Sequence, residues 1–359
     1  MIDPALFQEN ERTASVVDER KYVEVGALDC ECGKRLESVT VAYETWGTLN
    51  NEKSNAILLF HALSGDAHAI GWWDRLVGPG KAFDTDRYFV ICSNALGGCQ
   101  GTTGPSSNGP DNYFYGSSFP MITVGDMVEV QSRLLNHLGI EKLLAVAGGS
   151  MGGMQALEWT VRFPNRVSKC VLTATCGAHG AMQIGFNEAG RQAIIRDPNF
   201  NGGDYYENKP PDNGLSVARM LGHLSFLSQE AFEAKFGRRL QGKEKPDMNF
   251  GVEFEVESYL SYQGDKFTKR FDANSLLHLT RAIDYYEFQQ AERAEADYLV
   301  ISYTSDWIYP TSQSIALEAQ LKQAGKNVTR HEIDLPSGHD AFLLDGEHQA
   351  KLISEFLVS

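Results

Sequence analysis

Short runs of consecutive apolar residues, many of them β-branched, recur along the chain at residues 39–46, 56–62, 88–93, 143–147, 169–174, 298–303 and 328–333, each bounded by turn residues. Runs this short that stay apolar at nearly every position fit strands buried on both faces, as in a parallel sheet. Most are separated by stretches whose apolar residues recur at helical spacing, among them 127–138, 153–163 and 311–324. Strand and helix in alternation predict an α/β protein with a mostly parallel central sheet flanked by helices.

The alternation lapses between about residues 177 and 296. Helical periods at 187–196, 215–227, 230–236 and 275–291 follow one another without a convincing strand, and the Gly-, Pro-, Asp- and Asn-rich stretches 201–214 and 241–251 read as loops. The expected organisation is a core formed by residues 1–176 and 297–359, interrupted by a helical cap at 177–296. The length of 359 residues agrees. It exceeds the roughly 250 to 300 residues at which a single core stops growing.

Composition narrows the function classes. With 32 Lys and Arg against 47 Asp and Glu, the net charge is −15, a field that repels phosphate and excludes a bulk nucleic-acid binder. The 42% hydrophobic and 22% charged fractions are those of a globular chain. No apolar stretch approaches the roughly 20 residues a membrane span needs. The polar, acidic start lacks the basic and apolar regions of a secretory leader. Six cysteines (Cys30, Cys32, Cys92, Cys99, Cys170 and Cys176) are too few for a disulfide framework, so a cytoplasmic protein is expected. Cys30 and Cys32 stand beside a hairpin turn with no second pair, so no metal is expected there.

The chemistry concentrates at Gly148-Gly149-Ser150-Met151-Gly152, a G-x-S-x-G pattern that closes the run at 143–147 and leads into the helical stretch at 153–163. A strand that turns into a helix this sharply holds its serine in a strained conformation between glycines, with the hydroxyl clear of the sheet. Ser150 is the candidate nucleophile, against the alternative of a glycine-rich turn with an idle serine. A serine hydroxyl needs a base oriented by a carboxylate. Asp306 stands just past the run at 298–303, and His339 stands 33 residues further on, past the run at 328–333. That spacing is one helix-and-strand crossover. Of the other histidines, His61 and His68 precede the serine, His179, His223 and His278 fall in the insertion, His331 lies within a strand and His348 on the last helix. Acyl transfer also requires donors aimed at an oxyanion. The candidates are the N–H groups of Met151 and of Leu63, the latter in the loop after the run at 56–62.

Several longer segments resemble the homoserine O-acetyltransferase family. They include His61-Ala-Leu-Ser-Gly-Asp, Asn94-Ala-Leu-Gly-Gly-Cys-Gln-Gly-Thr-Thr-Gly-Pro, Gly148-Gly-Ser-Met-Gly-Gly-Met-Gln, Phe186-Asn-Glu-Ala-Gly-Arg-Gln, Val217-Ala-Arg-Met-Leu-Gly and Ser337-Gly-His-Asp-Ala-Phe-Leu, within a stretch from about Thr40 to Asp345. The resemblance implies an α/β-hydrolase fold and ping-pong transfer of acetyl from acetyl-CoA to Ser150 and on to the hydroxyl of L-homoserine, with no tightly bound cofactor. It implies that Arg219 binds the substrate carboxylate and Asp340 its amino group, and that the protein is a homodimer built through the cap. A planar guanidinium suits a carboxylate. Arg191 is a second candidate for anionic ligands. Succinyl-CoA as donor, serine as acceptor, or hydrolysis by an esterase on the same residues are the alternatives.

Overall fold

The computed structural model describes residues 20–359, so the amino-terminal segment read above, including the first residues of the 1–176 unit, lies outside the described residues. Eight strands form the main sheet: β1 (Lys21–Glu24), β2 (Thr40–Trp46), β3 (Ala56–Phe60), β4 (Phe89–Ser93), β5 (Leu143–Gly149), β6 (Val167–Thr173), β7 (Asp297–Tyr303) and β8 (Val328–Ile333), in the order β1-β2-β4-β3-β5-β6-β7-β8. From β4 to β8 every neighbouring pair is parallel, while β2 runs antiparallel to both β1 and β4.

The buried runs show why these residues choose strands. Along β3, Leu58 and Phe60 enter one core while Ile57 and Leu59 enter the other, and β5 and β7 divide in the same way, Val146 and Val300 opposing Ala147 and Ile301. A pleated chain sends successive side chains to opposite faces, so only a run apolar at every position satisfies both. Each such side chain contributes roughly 1.5 to 3 kcal/mol when fully buried. Helices α1 (Val124–His137) and α2 (Met151–Arg162) supply Met127, Leu134, Leu157 and Trp159 to the first core. α1 begins three residues earlier than its apolar period because Thr123 caps it: its hydroxyl accepts from Asp126 N at 3.0 Å while the Asp126 carboxylate accepts from Thr123 N at 3.0 Å.

Between β6 and β7 lie α3 (Ala181–Ile195), α4 (Asp212–Phe226), α5 (Gln229–Lys235), α6 (Glu255–Thr268) and α7 (Ala273–Tyr285), with no strand of the main sheet among the described residues. The last two long helices of the chain are α8 (Thr311–Gln323) and α9 (His348–Val358). Two elements were not expected. β1 is an edge strand with mostly exposed side chains, so it has no apolar run. α6 buries only Gln263, Gly264 and Phe267 deeply, and it is started by Glu257, whose carboxylate accepts from Phe254 N at 2.9 Å and Glu253 N at 2.7 Å. α7 stops at Tyr285, short of residue 291, because Tyr286 is extended. Cys30 and Cys32 sit, unpaired, at the turn of a short antiparallel hairpin, Leu28–Asp29 with Arg35–Leu36. No helix among the described residues is long and apolar enough to cross a membrane.

Candidate active site

Because β3, β5, β6, β7 and β8 run parallel, the loops that follow them emerge along one edge of the sheet, where ligands bind in open α/β sheets. Ser150 stands between β5 and α2 with φ 55° and ψ −124°, a backbone conformation that side chains rarely adopt. The turn closes only with glycine on either side: a Cβ on Gly148 would lie 2.3 Å from Gly152 C, and one on Gly152 would lie 2.1 Å from Phe60 O. Ser150 N donates to Thr173 O at 3.2 Å, and its carbonyl accepts from Thr175 Oγ1 at 2.8 Å.

Asp306 follows β7 and His339 follows β8, and the structure brings the two together: His339 Nδ1 donates to Asp306 Oδ2 at 2.7 Å. The other carboxylate oxygen accepts from Tyr309 N at 2.8 Å and Ile308 N at 3.2 Å, so the acid is aimed by its own turn. The two loops are clasped to each other as well. Thr304 Oγ1 donates to Asp334 Oδ1 at 2.6 Å, and Gly338 N donates to Ser305 Oγ at 2.9 Å. The Tyr309 ring stacks on the His339 imidazole at 4.6 Å and 16°. Ser150, His339 and Asp340 line one cavity, together with Leu63, Phe226 and Phe342. With Nδ1 committed to the carboxylate, His339 has Nε2 left to act as a base.

Met151 opens α2, where the first N–H groups have no intrahelical acceptor, and Leu63 lies on the cavity wall. The loop carrying Leu63 is pinned by a residue whose part in the site was not read from the sequence. His61 Nε2 accepts from Ala95 N at 2.9 Å, and its Nδ1 donates to Ala62 O at 2.7 Å. Burial lowers its pKa, so it stays neutral and can accept.

Arg219 lies on α4 in an adjoining cavity that shares Leu63, Ser64, Phe186, Asn187, Ser225 and Phe226 with the first. Its guanidinium stacks over Phe267 at 4.7 Å and Phe226 at 5.7 Å, and Nη1 donates to Ser64 Oγ at 3.4 Å. One turn on, His223 is driven down to about 2 by burial and by the charges of Arg219, Lys235, Lys266 and Arg270. Arg191 is buried against Asp284 at 2.7 Å and Glu188 at 2.9 Å. Its charge is already matched there, and the reading of Arg191 as an anion site gives way to a structural ion pair. His179 also lines the Ser150 cavity, although its place in the chain had set it aside as a base.

A strained serine at the end of a parallel strand, sharing a cavity with the histidine of a His–Asp pair from two later loops, fits an α/β-hydrolase-fold protein, and the profile of the alpha/beta hydrolase fold family matches residues 55–346. The chain is 51% identical over 357 residues to the homoserine O-acetyltransferase of Methanohalobium evestigatum, covering 94% of this chain and 73% of that one. It is 50% identical to the homoserine O-acetyltransferase of Desulfotalea psychrophila, covering 92% and 90%. Among solved structures, the homoserine O-acetyltransferase from Bacillus anthracis superposes with a TM-score of 0.89 at 30% identity over 95% of this chain and 97% of that one. Esterase E22 superposes at 0.88 with 31% identity over 94% and 99%. The chain belongs to the homoserine O-acetyltransferase family.

Proposed function

We propose that this protein is a homoserine O-acetyltransferase that carries the acetyl group on Ser150. The observation that carries the reading is the convergence of Ser150, His339 and Asp340 on one cavity that adjoins Arg219. In the first half-reaction Ser150 Oγ attacks the thioester carbonyl of acetyl-CoA and its proton passes to His339 Nε2. The oxyanion takes hydrogen bonds from the N–H groups of Met151 and Leu63, and collapse expels the thiolate, which leaves with the proton from His339. In the second, the homoserine hydroxyl gives its proton to His339 and attacks the acyl carbon, and Ser150 recovers its proton as O-acetylhomoserine departs. Arg219 takes the carboxylate of the acceptor and Asp340 its ammonium.

Identity of about 50% over nine-tenths of the chain to named homoserine O-acetyltransferases favours transfer over the hydrolysis that the 31%-identical esterase carries out. Acetyl is favoured over succinyl because, among the described residues, no Lys or Arg lines the Ser150 cavity to receive a second carboxylate. Residues 177–296 form the cap that excludes water from the acyl-enzyme. The exposed Val217 and Leu224 of α4 and Tyr262 of α6 offer an apolar face for a homodimer, and a coenzyme A thioester places the reaction in the cytoplasm. Incubation with acetyl-CoA with and without homoserine tests the proposal. Thioester consumption that requires homoserine and yields O-acetylhomoserine is expected, and consumption indifferent to homoserine overturns it.

A further inference from the structure

Among the described residues, Asp306 and His339 are not the sole histidine–carboxylate pair whose histidine lines the Ser150 cavity. His179, two residues before α3, has its Nδ1 2.9 Å from Asp284 Oδ1 on α7 and its Nε2 2.7 Å from the Tyr309 hydroxyl. Tyr309 and His179 line the same cavity as Ser150. All three partners are buried: the side chains of His179 and Asp284 are 2% and 4% exposed, and Tyr309 is 7% exposed. Asp284 is kept ionised. Burial opposes its charge, but hydrogen bonds from His179, Asn187 and Arg191 and the Arg191 charge together hold it below the usual carboxylate range.

The donors and acceptors then fall into one order. An ionised Asp284 can only accept, so His179 Nδ1 carries the hydrogen and Nε2 offers a lone pair. That lone pair accepts the Tyr309 O–H, which burial holds well above its ordinary pKa and therefore protonated. The tyrosine oxygen, its hydrogen committed to His179, keeps a lone pair for a donor in the cavity that Ser150 also lines. We propose that Tyr309 is a catalytic residue that fixes the Ser150 hydroxyl opposite His339, and that His179 and Asp284 are positioning residues that set the Tyr309 hydrogen. This rests on Ser150 being the acylated nucleophile. No proton leaves along this chain; the serine proton goes to His339, and Tyr309 keeps its own. Since Asp284, Asn187 and Arg191 lie on α7 and α3, the helices that cover the cleft are linked to the nucleophile by side-chain hydrogen bonds.

The test is single-turnover acetylation of the full-length protein by acetyl-CoA, followed by intact-protein mass spectrometry. Tyr309→Phe keeps the stacked ring and removes the hydroxyl. It is expected to slow acetylation about tenfold, the equivalent of one lost hydrogen bond in the transition state, with the acetyl-CoA concentration dependence unchanged. His179→Leu should slow it by the same factor, and the double variant should fall no further than either single one, because both changes remove one linked effect. His179→Gln, whose amide oxygen can take the Tyr309 O–H, should recover to within about threefold of the parent. Tyr309→Phe acetylating at the parent rate, or a double variant about a hundredfold slower, overturns the proposal. Ser150→Ala acetylated at the parent rate would instead remove the reading beneath it.

Discussion

The two walls of the cleft are built on different principles. On the sheet wall, Ser150, Asp306 and His339 each stand within a few residues of a strand end, and their geometry is set by backbone: a positive φ at Ser150, two N–H groups on Asp306, a clasped loop at His339. On the helical wall, Arg219 reaches in from the middle of α4, held by aromatic faces and a long hydrogen bond to Ser64. Groups fixed by backbone cannot shift without undoing a turn, whereas a long side chain on a helix can follow its ligand or its helix. On the proposed mechanism the reacting groups stand on the first kind of wall, with His179 and Asp284 as positioning residues behind them, and Arg219 on the second discriminates among acceptors.

That division can be broken by experiment. Replacing Ser150 by Ala is expected to lower acetyl transfer at least a thousandfold with the fold intact, measured by O-acetylhomoserine formation beside a melting curve. Asp306→Asn, which leaves His339 without its orienting charge, should lose about a thousandfold in both half-reactions; a loss in one alone would separate residues that the geometry joins. Arg219→Ala should act on the acceptor half only, raising the homoserine KM roughly tenfold to a hundredfold while single-turnover acetylation stays near the parent rate. If acetylation falls equally, Arg219 itself takes part in bond-making and the comparison fails.

The smallest expected effect on activity is one on acid stability. Burial lowers His278 to about 4, and burial with neighbouring cations lowers His223 to about 2, from an ordinary value near 6.5; His61 on the sheet wall is lowered too. Below about pH 6.5 the unfolded chain gains protons that the folded chain refuses, so stability is complete above that pH and falls as pH drops towards 4. The loss should reach a few kcal/mol, and His278→Gln should flatten the fall in melting temperature between pH 6.5 and 4.

The parts of the site legible in the sequence are those whose logic is local. G-x-S-x-G between an apolar run and a helical period marks Ser150, and the strand-end positions of Asp306 and His339 follow from the order of later runs. Arg219 and Asp340 have no such local signature, and only the longer resemblance singles them out. His179, Tyr309 and Asp284 meet across 105 and 130 residues of chain, and nothing in their spacing announces it. His61 was visible as part of a motif, but its two hydrogen bonds depend on where Ala95 folds back. The helix at Glu255–Thr268 escaped because most of it is half-buried and only Gln263, Gly264 and Phe267 are deeply buried, so few of its positions have to be apolar.

The clasp between the loops after β7 and β8 has a kinetic meaning. Thr304 with Asp334, Ser305 with Gly338 and Asp306 with His339 close in sequence like the teeth of a zip, each bond made between protein side chains or between a side chain and backbone. On the proposed mechanism, an imidazole oriented by these bonds needs less of the reorganisation that a base free in water must undergo. The same closed unit serves both half-reactions unaltered, whichever hydroxyl, that of the enzyme or that of its acceptor, arrives to give up its proton.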